Sequence, residues 1–494
     1  MKVRLLNAAS DFDPRTPLPQ NAEDLEQDLG LAALFNAMAG PDAFIRDIVR
    51  KVVLGSLSDA GAIRYRQAVL RDVEAHRDLV RDLYDLTLEA ERGERSIHSM
   101  YFFARSPALV LARALQLLAF YRGLLARLRE LARCETVESE AMRRLLAELR
   151  AELAPAFFAE LDDHLKELRF SAGVTLSAGL GDGLKGTGYV LHRASGRRRS
   201  WAERLLHREP PYVFEVPDRD EAGLQALEDL RGEGLRSAAT AVGLSAEHVK
   251  SFFAQLRREL AFYLGALRLR DVLAERGLPC CMPDVQDASS GCLTARDLRD
   301  PGLALQIGGV VGNDLQADGR PLIVVTGANR GGKSTFLRSV GVAALMTQCG
   351  LYVVAQAFSM SVSASIVSHF RREEDKEMLS GKLDEELGRL ERSLPLLGPG
   401  SLLLLNESFA STNEREGSEI ARQVVQALGE AGVRIVFVTH LYDFAESCCR
   451  EAGGALCLRA ALAEDGRRTF RVTPGAPEPS SHGEDLLRTI LGPS

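Results

Sequence analysis

The sequence predicts a mainly α-helical N-terminal part that carries a β-rich tip, followed by an α/β part. The first observation is the helical spacing of apolar residues, which returns in several long runs between residues 43 and 275. The second is a glycine-rich stretch of short alternating segments at about 170–215, which interrupts those runs. The third is the alternation of apolar strands and helical segments from about residue 290 onward.

The length of the chain predicts more than one domain, because 494 residues exceed what a single hydrophobic core usually holds. We expect an N-terminal segment at 1–42, a helical part at 43–289 and the α/β part at 290–494. The net charge of −7 argues against a generally basic coat for nucleic acid, although a local basic groove remains compatible with it. The eight cysteines form no CxxC pair, which favours reduced thiols over a disulfide framework or a metal site.

The N-terminus shows no signal-peptide pattern, and we expect a cytoplasmic protein that does not associate with membranes. The longest apolar run, PALVLARALQLLAFYRGLLARL, is interrupted by Arg113, Gln116 and Arg122. This interruption predicts a core helix rather than a membrane span.

The stretch PLIVVTGANRGGKSTFLRSVGVAAL predicts a strand, a phosphate-binding loop and a helix. Its spacing is GxxxxGKS, in which backbone N–H groups surround phosphate oxygens, Lys333 reaches the β and γ phosphates, and Ser334 can bind Mg²⁺. The helix adds the positive end of its dipole to the same anion. The alternative is a plain glycine-rich turn. The predicted nucleotide-binding residues are Gly327, Ala328, Asn329, Arg330, Gly331, Gly332, Lys333, Ser334 and Thr335.

Two later strands end in residues suited to ATP hydrolysis. The predicted strand in SLLLLNES ends with Asn406 and is followed by Glu407. We expect Glu407 to polarise the attacking water, the alternative being a solvated carboxylate. Asn406 stands where a metal-binding carboxylate is usual, so it offers Mg²⁺ an oxygen without negative charge and predicts slow turnover. RIVFVTH ends with His440, a candidate γ-phosphate sensor, although a lone histidine at a strand end is more often structural. Lys333, Glu407 and His440 are therefore the predicted catalytic group.

Two further stretches are candidates for contacts with partners. Ser380 and Gly381 open a helix and predict either an ordinary N-cap or a contact with an anion held by a second subunit. A basic cluster near Trp201 predicts either a solvated loop or contact with DNA phosphates. Its residues are Lys185, Arg193, Arg197, Arg198 and Arg199.

The C-terminal half resembles the ATPase domain of the MutS family of DNA mismatch-recognition proteins. Its phosphate loop TGANRGGKST (Thr326–Thr335) is similar to the family's TGPNMGGKST, and VVGND (Val310–Asp314) is similar to an upstream asparagine-aspartate element. NESFASTNEREG (Asn406–Gly417), VTHL (Val438–Leu441) and the closing SSHGEDLLRTILG also resemble family motifs. These matches keep the family's order over about two hundred residues.

The resemblance implies a helical core and lever with a β-rich, clamp-like tip, followed by an ABC-type P-loop α/β ATPase domain. DAGAIRYRQAVLRDV (Asp59–Val73) is similar to the segment that opens the family's helical core. The family also implies ATP and Mg²⁺ as cofactors and Asn313 at the nucleotide. If Ser380 contacts an anion held by a second subunit, ATP would bridge a homodimer formed through the ATPase domains. The basic tip would then lie at the DNA.

Several departures from the family's pattern shape the expected function. We expect no N-terminal mismatch-reading domain, no connector and no nuclease domain, so specificity for mismatches is not expected. Val310 matches the family's adenine-stacking aromatic, which predicts weaker base stacking.

We therefore expect an ATP-gated dimeric clamp on duplex or branched DNA that serves repair or recombination with slow hydrolysis. The alternative is a nucleotide-locked dimeric scaffold for protein partners with little DNA binding or turnover. A metabolite kinase is disfavoured, because no site for an acceptor substrate is visible.

Overall fold

The computed structural model describes residues 1–100, 106–170, 173–182, 186–192, 220–372, 381–450, 455–463 and 467–478. The architecture is mixed α/β, with helices and mixed sheets, and the chain divides into two compact units. Unit 1 comprises residues 1–3, 78–137 and 143–257, and unit 2 comprises residues 4–77, 138–142 and 258–494. The boundaries of these two units differ from the predicted domain boundaries at residues 42 and 289. The division into three domains stays a prediction.

Helices dominate the described chain up to Glu275, and strands and helices are mixed after it. The helices are α1 (Ala22–Asp28), α2 (Leu31–Ala39), α3 (Ala43–Leu54), α4 (Ala60–Ala75), α5 (Arg77–Met100), α6 (Pro107–Leu131), α7 (Glu140–Glu152), α8 (Pro155–Glu167), α9 (Glu221–Glu275), α10 (Pro301–Ile307), α11 (Lys333–Gln348), α12 (Lys382–Ser393), α13 (Glu414–Glu430) and α14 (Tyr442–Arg450). The strands are β1 (Thr175–Leu180), β2 (Gly186–His192), β3 (Asp284–Gln286), β4 (Leu293–Leu298), β5 (Asn313–Gln316), β6 (Leu322–Gly327), β7 (Ala357–Ser361), β8 (Ile366–Phe370), β9 (Leu402–Asn406), β10 (Arg434–Val438), β11 (Ala455–Leu462) and β12 (Arg468–Pro474).

Unit 1 is helical, with the antiparallel hairpin β1–β2 between α8 and α9. Its helix α6 is long and apolar enough to cross a membrane by length and composition, a test that a soluble core helix also passes. Tyr121 of α6 is buried and its ring lies 5.9 Å from that of Phe253. The charge of Arg122 is paired with Asp162 through hydrogen bonds of 3.1 and 2.9 Å. These contacts agree with the predicted core helix.

Unit 2 contains a six-stranded sheet in the order β12-β11-β6-β10-β9-β8, in which only β12 runs antiparallel to its neighbour. One face carries Leu403, Leu405 and Phe437, which pack with α13 and α14. The other face approaches α11 so closely that a Cβ at Gly341 would lie 2.5 Å from Leu404. Burial on both faces explains why the predicted strand LLLLN is continuously apolar. A second, four-stranded sheet has the order β3-β7-β4-β5.

The N-terminal residues are part of the core of unit 2. Glu259 of α9 is fully buried and accepts hydrogen bonds from the backbone N–H groups of Leu5 at 2.5 Å, Leu6 at 2.9 Å and Phe12 at 2.9 Å. The hydroxyl of Tyr263 donates to the Leu5 carbonyl at 2.7 Å. A buried carboxylate is tolerated only where such donors replace water. Glu259 and Tyr263 therefore hold the N-terminal segment against α9 through hydrogen bonds.

The prediction that the cysteines are reduced was wrong for one pair. Cys449, at the end of α14, is bonded to Cys457 in β11, with their Cα atoms 6.0 Å apart. The other six cysteines are free. Spacing did not indicate this pair, because it depends on α14 packing beside β11, a tertiary contact.

We expect Glu259→Ala to lower the free energy of unfolding by at least about 3 kcal/mol, because it leaves three backbone donors without their acceptor. Urea unfolding followed by circular dichroism measures this change. The control is Glu275→Ala near the exposed end of the same helix, for which we expect a change within about 0.5 kcal/mol. Equal stabilities of the two variants would show that the polar cluster does not hold the N-terminus.

Candidate functional site

The candidate site lies at one edge of the six-stranded sheet, where three parallel strands end together. Val438 of β10 pairs with Val325 of β6 on one side and with Asn406 of β9 on the other. Ligands commonly bind at this carboxyl edge of parallel strands. A cavity of about 320 Å³ opens there. Its lining includes Leu303, Ile307, Gly309, Val310, Val311, Asn313, the loop residues Asn329, Arg330, Gly331, Gly332, Lys333, Ser334 and Thr335, and also Glu407 and Phe470.

The glycine-rich loop joins β6 to α11, as the spacing predicted. Gly327 has φ 109°, and a Cβ there would lie 2.9 Å from the Ala460 backbone nitrogen. Gly332 has φ 94° and is the residue that precedes the helix. Only glycine adopts such angles without strain, so both positions are required by the backbone path. The first residues of α11 therefore line the cavity. The N-terminus of a helix is a common binding site for anions in proteins.

Lys333 is folded back onto its own loop. Its Nζ donates to the carbonyl oxygens of Gly327 at 2.9 Å and Ala328 at 3.0 Å, and only 4% of the residue is exposed. Burial lowers the pKa of Lys333 to about 8, an effect that the nearby charge of Glu407 opposes. These two acceptors are neutral, so a phosphate at the loop would offer this amine a stronger, charged partner.

Ser334 and Asn406 form the second contact of the site. The Ser334 hydroxyl donates to Asn406 Oδ1 at 2.9 Å. Two oxygens held this close, on a helix N-terminus and a strand end, suit a hard cation such as Mg²⁺ that keeps several waters of its own. The pair contributes no negative charge, so the residues fit the cation only together with the charge of phosphate groups.

Glu407 and His440 form the third contact. Glu407 Oε1 lies 3.2 Å from His440 Nε2. The pKa of Glu407 is lowered by this hydrogen bond and by the charges of His440 and Lys333, against the opposing effect of burial. The structure therefore brings the three predicted catalytic side chains, on three different elements, to one edge of the sheet. An ionised carboxylate held by a histidine can orient and polarise a water molecule.

The apolar side of the cavity includes a residue that sequence reasoning missed. Phe470 of β12 lines the cavity, with 48% of the residue exposed, and Ile307 and Val311 are exposed there as well. Asn313 holds β12 in place, since its Oδ1 accepts from Val472 N–H at 2.7 Å and its Nδ2 donates to the Phe470 carbonyl at 3.4 Å. An aromatic residue in the otherwise polar RTFRVT stretch was the available signal, but nothing local shows that β12 reaches the cavity.

Some predicted contact residues cannot be placed. Ser380 lies outside the described residues, as do all five members of the basic cluster. Those five are Lys185, Arg193, Arg197, Arg198 and Arg199.

Two family models match the chain. Residues 58–276 match a model described as the MutS2 N-terminal domain, and residues 323–470 match one described as MutS domain V. The second match spans the glycine-rich loop, Asn406, Glu407, His440 and Phe470.

Individual relatives match over stretches of 154 to 202 residues. The DNA mismatch repair protein MutS of Methanosarcina mazei is 32% identical over 154 residues, which cover 30% of this chain and 17% of that protein. MutS of Methanosarcina acetivorans is 29% identical over 202 residues, 39% of this chain and 22% of that protein. Endonuclease MutS2 of Pelotomaculum thermopropionicum is 29% identical over 173 residues, 34% of this chain and 22% of that protein.

The matched stretches thus span about a fifth of each of these relatives. The two family models instead cover successive parts of this chain, in the helical portion and in the portion that holds the cavity. The chain therefore belongs to the MutS family.

Proposed function

We propose that this protein binds and slowly hydrolyses Mg²⁺·ATP, and that nucleotide state opens and closes a homodimeric clamp on duplex or branched DNA. The observation that carries the proposal is the convergence of Lys333, the Ser334–Asn406 pair and the Glu407–His440 pair at one cavity. P-loop ATPases need a phosphate cradle, a cation site and a group that orients water, and these three contacts supply one candidate for each.

The residues divide the work on ATP as follows. Lys333 and the loop N–H groups hold the phosphates, and His440 holds the Glu407 carboxylate where it accepts a hydrogen bond from water. Ser334 and Asn406 would hold Mg²⁺, which when bound spreads the negative charge that develops on the phosphate oxygens. Phe470 gives the base an aromatic surface that Val310 does not.

DNA binding and dimerisation rest on the family and on the basic cluster. The match of residues 58–276 to the MutS2 N-terminal domain supports a clamp-like role for the helical part. Arg197, Arg198 and Arg199 are proposed to contact DNA phosphates, and the segment around Ser380 is proposed to meet the nucleotide of a second subunit. We propose a cytoplasmic role in DNA repair or recombination, without specificity for mismatches.

A second function is favoured by Asn406. Its neutral oxygen binds Mg²⁺ less strongly than a carboxylate, which slows hydrolysis. A dimer that hydrolyses ATP slowly would stay locked by its bound nucleotide. Such a dimer would act as a scaffold for protein partners, with little turnover or DNA binding.

We expect ATP affinity to fall as the pH rises above about 8. The amine of Lys333 has a pKa of about 8 before nucleotide binds, and the phosphate charge will raise that pKa in the complex. Binding then requires the amine to take up a proton, so the dissociation constant rises by up to about tenfold per pH unit above the free pKa. Titration of a fluorescent ATP analogue from pH 7.2 to 9.5 measures this.

The control for this pH dependence is Lys333→Ala, which should bind the analogue too weakly to saturate at any pH. Lys250→Ala removes a lysine of α9 that is paired with Glu94 of α5 and should bind like the wild type. A wild-type affinity that is constant up to pH 9.5, or unchanged affinity in Lys333→Ala, would contradict the role given to this lysine.

We expect Asn406→Asp to raise the turnover of ATP by roughly tenfold, equivalent to about 1.4 kcal/mol of barrier, because it adds a negative ligand beside Ser334. Radiolabelled ATP hydrolysis at saturating Mg²⁺ measures the change. Glu407→Gln is the matched control and should bind ATP but turn it over more slowly than the wild type. Equal rates for wild type and Asn406→Asp would show that the missing charge does not limit hydrolysis.

We expect binding to duplex or branched DNA to weaken steeply with salt and to change with added ATP. Each neutralised phosphate contributes about 0.9 to the slope of log affinity against log salt, so replacing Arg197, Arg198 and Arg199 together with alanine should lower that slope by about three. Gel-shift titrations over a range of salt concentrations measure both. Nucleotide binding without salt-sensitive binding to duplex, branched or mismatched DNA would instead support the scaffold.

A further inference from the structure

The loop that carries Glu407 has a strained backbone. Glu407 has φ 55° and Phe409 has φ 66°, both in the left-handed region that side chains with a Cβ rarely adopt. Such residues cost of order 1–3 kcal/mol each and persist only where the surroundings hold them. The direction of the Glu407 carboxylate therefore depends on contacts made by its neighbours.

One of these contacts comes from Glu386 of α12. Glu386 Oε1 accepts a hydrogen bond from the Phe409 N–H at 2.6 Å. Phe409 is fully buried and Glu386 is 3% exposed, so water does not compete for this bond. Breaking this buried bond would leave the Phe409 amide without an acceptor, which costs more than losing an exposed hydrogen bond.

A buried histidine adds a second connection between α12 and the same loop. His369 of β8 lies 3.1 Å through Nε2 from the Glu386 carbonyl oxygen and 2.8 Å through Nδ1 from Ser408 Oγ. Burial lowers the pKa of His369 to about 4, so the ring is neutral at physiological pH. A carbonyl only accepts, so Nε2 of the neutral ring carries the proton, and the Ser408 hydroxyl lies within reach of both Nδ1 and the His369 carbonyl, to which it donates at 2.9 Å. His369 therefore connects Ser408 of the Glu407 loop to Glu386 of α12.

Helix α12 is also attached to the strand beside β9. The guanidinium of Arg389 donates from both Nη atoms to the Phe370 carbonyl at 3.1 Å. Phe370 is the last residue of β8 and pairs with Asn406. Movement of α12 would therefore act on the strand ends that hold Asn406 and Glu407.

One oxygen of Glu386 is left over. Oε2 is buried and has no hydrogen-bond partner among the residues that the structure describes. A half-satisfied buried carboxylate lowers stability, and such groups need a reason other than packing. A residue that served only to fill this space would be better replaced by an apolar one.

We propose that Glu386 is a positioning residue for ATP hydrolysis, which holds the Glu407 loop so that the carboxylate stays at His440. The inference rests on the proposed ATPase function.

The test compares wild type, Glu386→Ala, Glu386→Gln and the exposed neighbour Glu385→Ala, all as full-length chains. Glu386→Ala should lower kcat for ATP by roughly tenfold to a hundredfold, the loss typical of a displaced catalytic group, while KM and the affinity for a fluorescent ATP analogue stay within twofold. Glu386→Gln keeps an acceptor oxygen and should stay within about threefold of wild-type kcat. Glu385→Ala should match the wild type.

Hydrogen exchange measures the contact without requiring turnover. In Glu386→Ala the peptide that spans Glu407–Thr412 should exchange faster than in wild type, and in Glu386→Gln it should not. The inference would be overturned if Glu386→Ala kept the wild-type kcat and the wild-type exchange rate. It would also be overturned if the variant lost nucleotide affinity and thermal stability to the same degree as kcat, because that would indicate a purely structural role. A wild-type protein that does not bind the ATP analogue would instead refute the proposed function, while the exchange experiment still tests the bond.

Discussion

The site depends on one constraint, the flush ending of parallel strands β6, β10 and β9. Hydrogen-bonded pairing places Val325, Val438 and Asn406 side by side, so the residues that follow each strand emerge at the same edge. A shift of one residue in any of these pairings would turn the following side chains to the other face of the sheet. The apolar strand interiors, buried on both faces, fix the register and thereby bring Lys333, Glu407 and His440 together.

The opposite charges of Lys333 and Glu407 at this edge form hydrogen bonds with other groups and not with each other. Lys333 donates to carbonyl oxygens, Asn406 is neutral, and the carboxylate of Glu407 is engaged by His440. A carboxylate at position 406 would lie directly beside Ser334 and would add negative charge where the proposed phosphates also bring it. With a neutral amide at this position, the negative charge that balances the proposed cation would have to come from the proposed nucleotide, so the two would bind together.

Local sequence predicted those parts of the protein that local physics determines. The strand ending at Asn406 and the turn around Gly327 follow from a buried apolar run and from glycine spacing, and both lie where they were predicted. The approach of Phe470 to the cavity, the Cys449–Cys457 bond and the contact of Glu259 with Leu5 join residues that are distant in the chain or whose proximity depends on packing. The spacing of apolar residues along the chain carries no information about such contacts, so the sequence analysis did not predict them.

The folded-back position of Lys333 has a consequence for the protein without nucleotide. Because Gly327 and Ala328 already occupy its hydrogen bonds, an empty loop leaves no bare ammonium in the protein interior. Release of the proposed nucleotide would therefore exchange one set of acceptors for another and would not require the surrounding core to open. Under the proposed function, this loop would bind and release nucleotide while the rest of its domain stays folded.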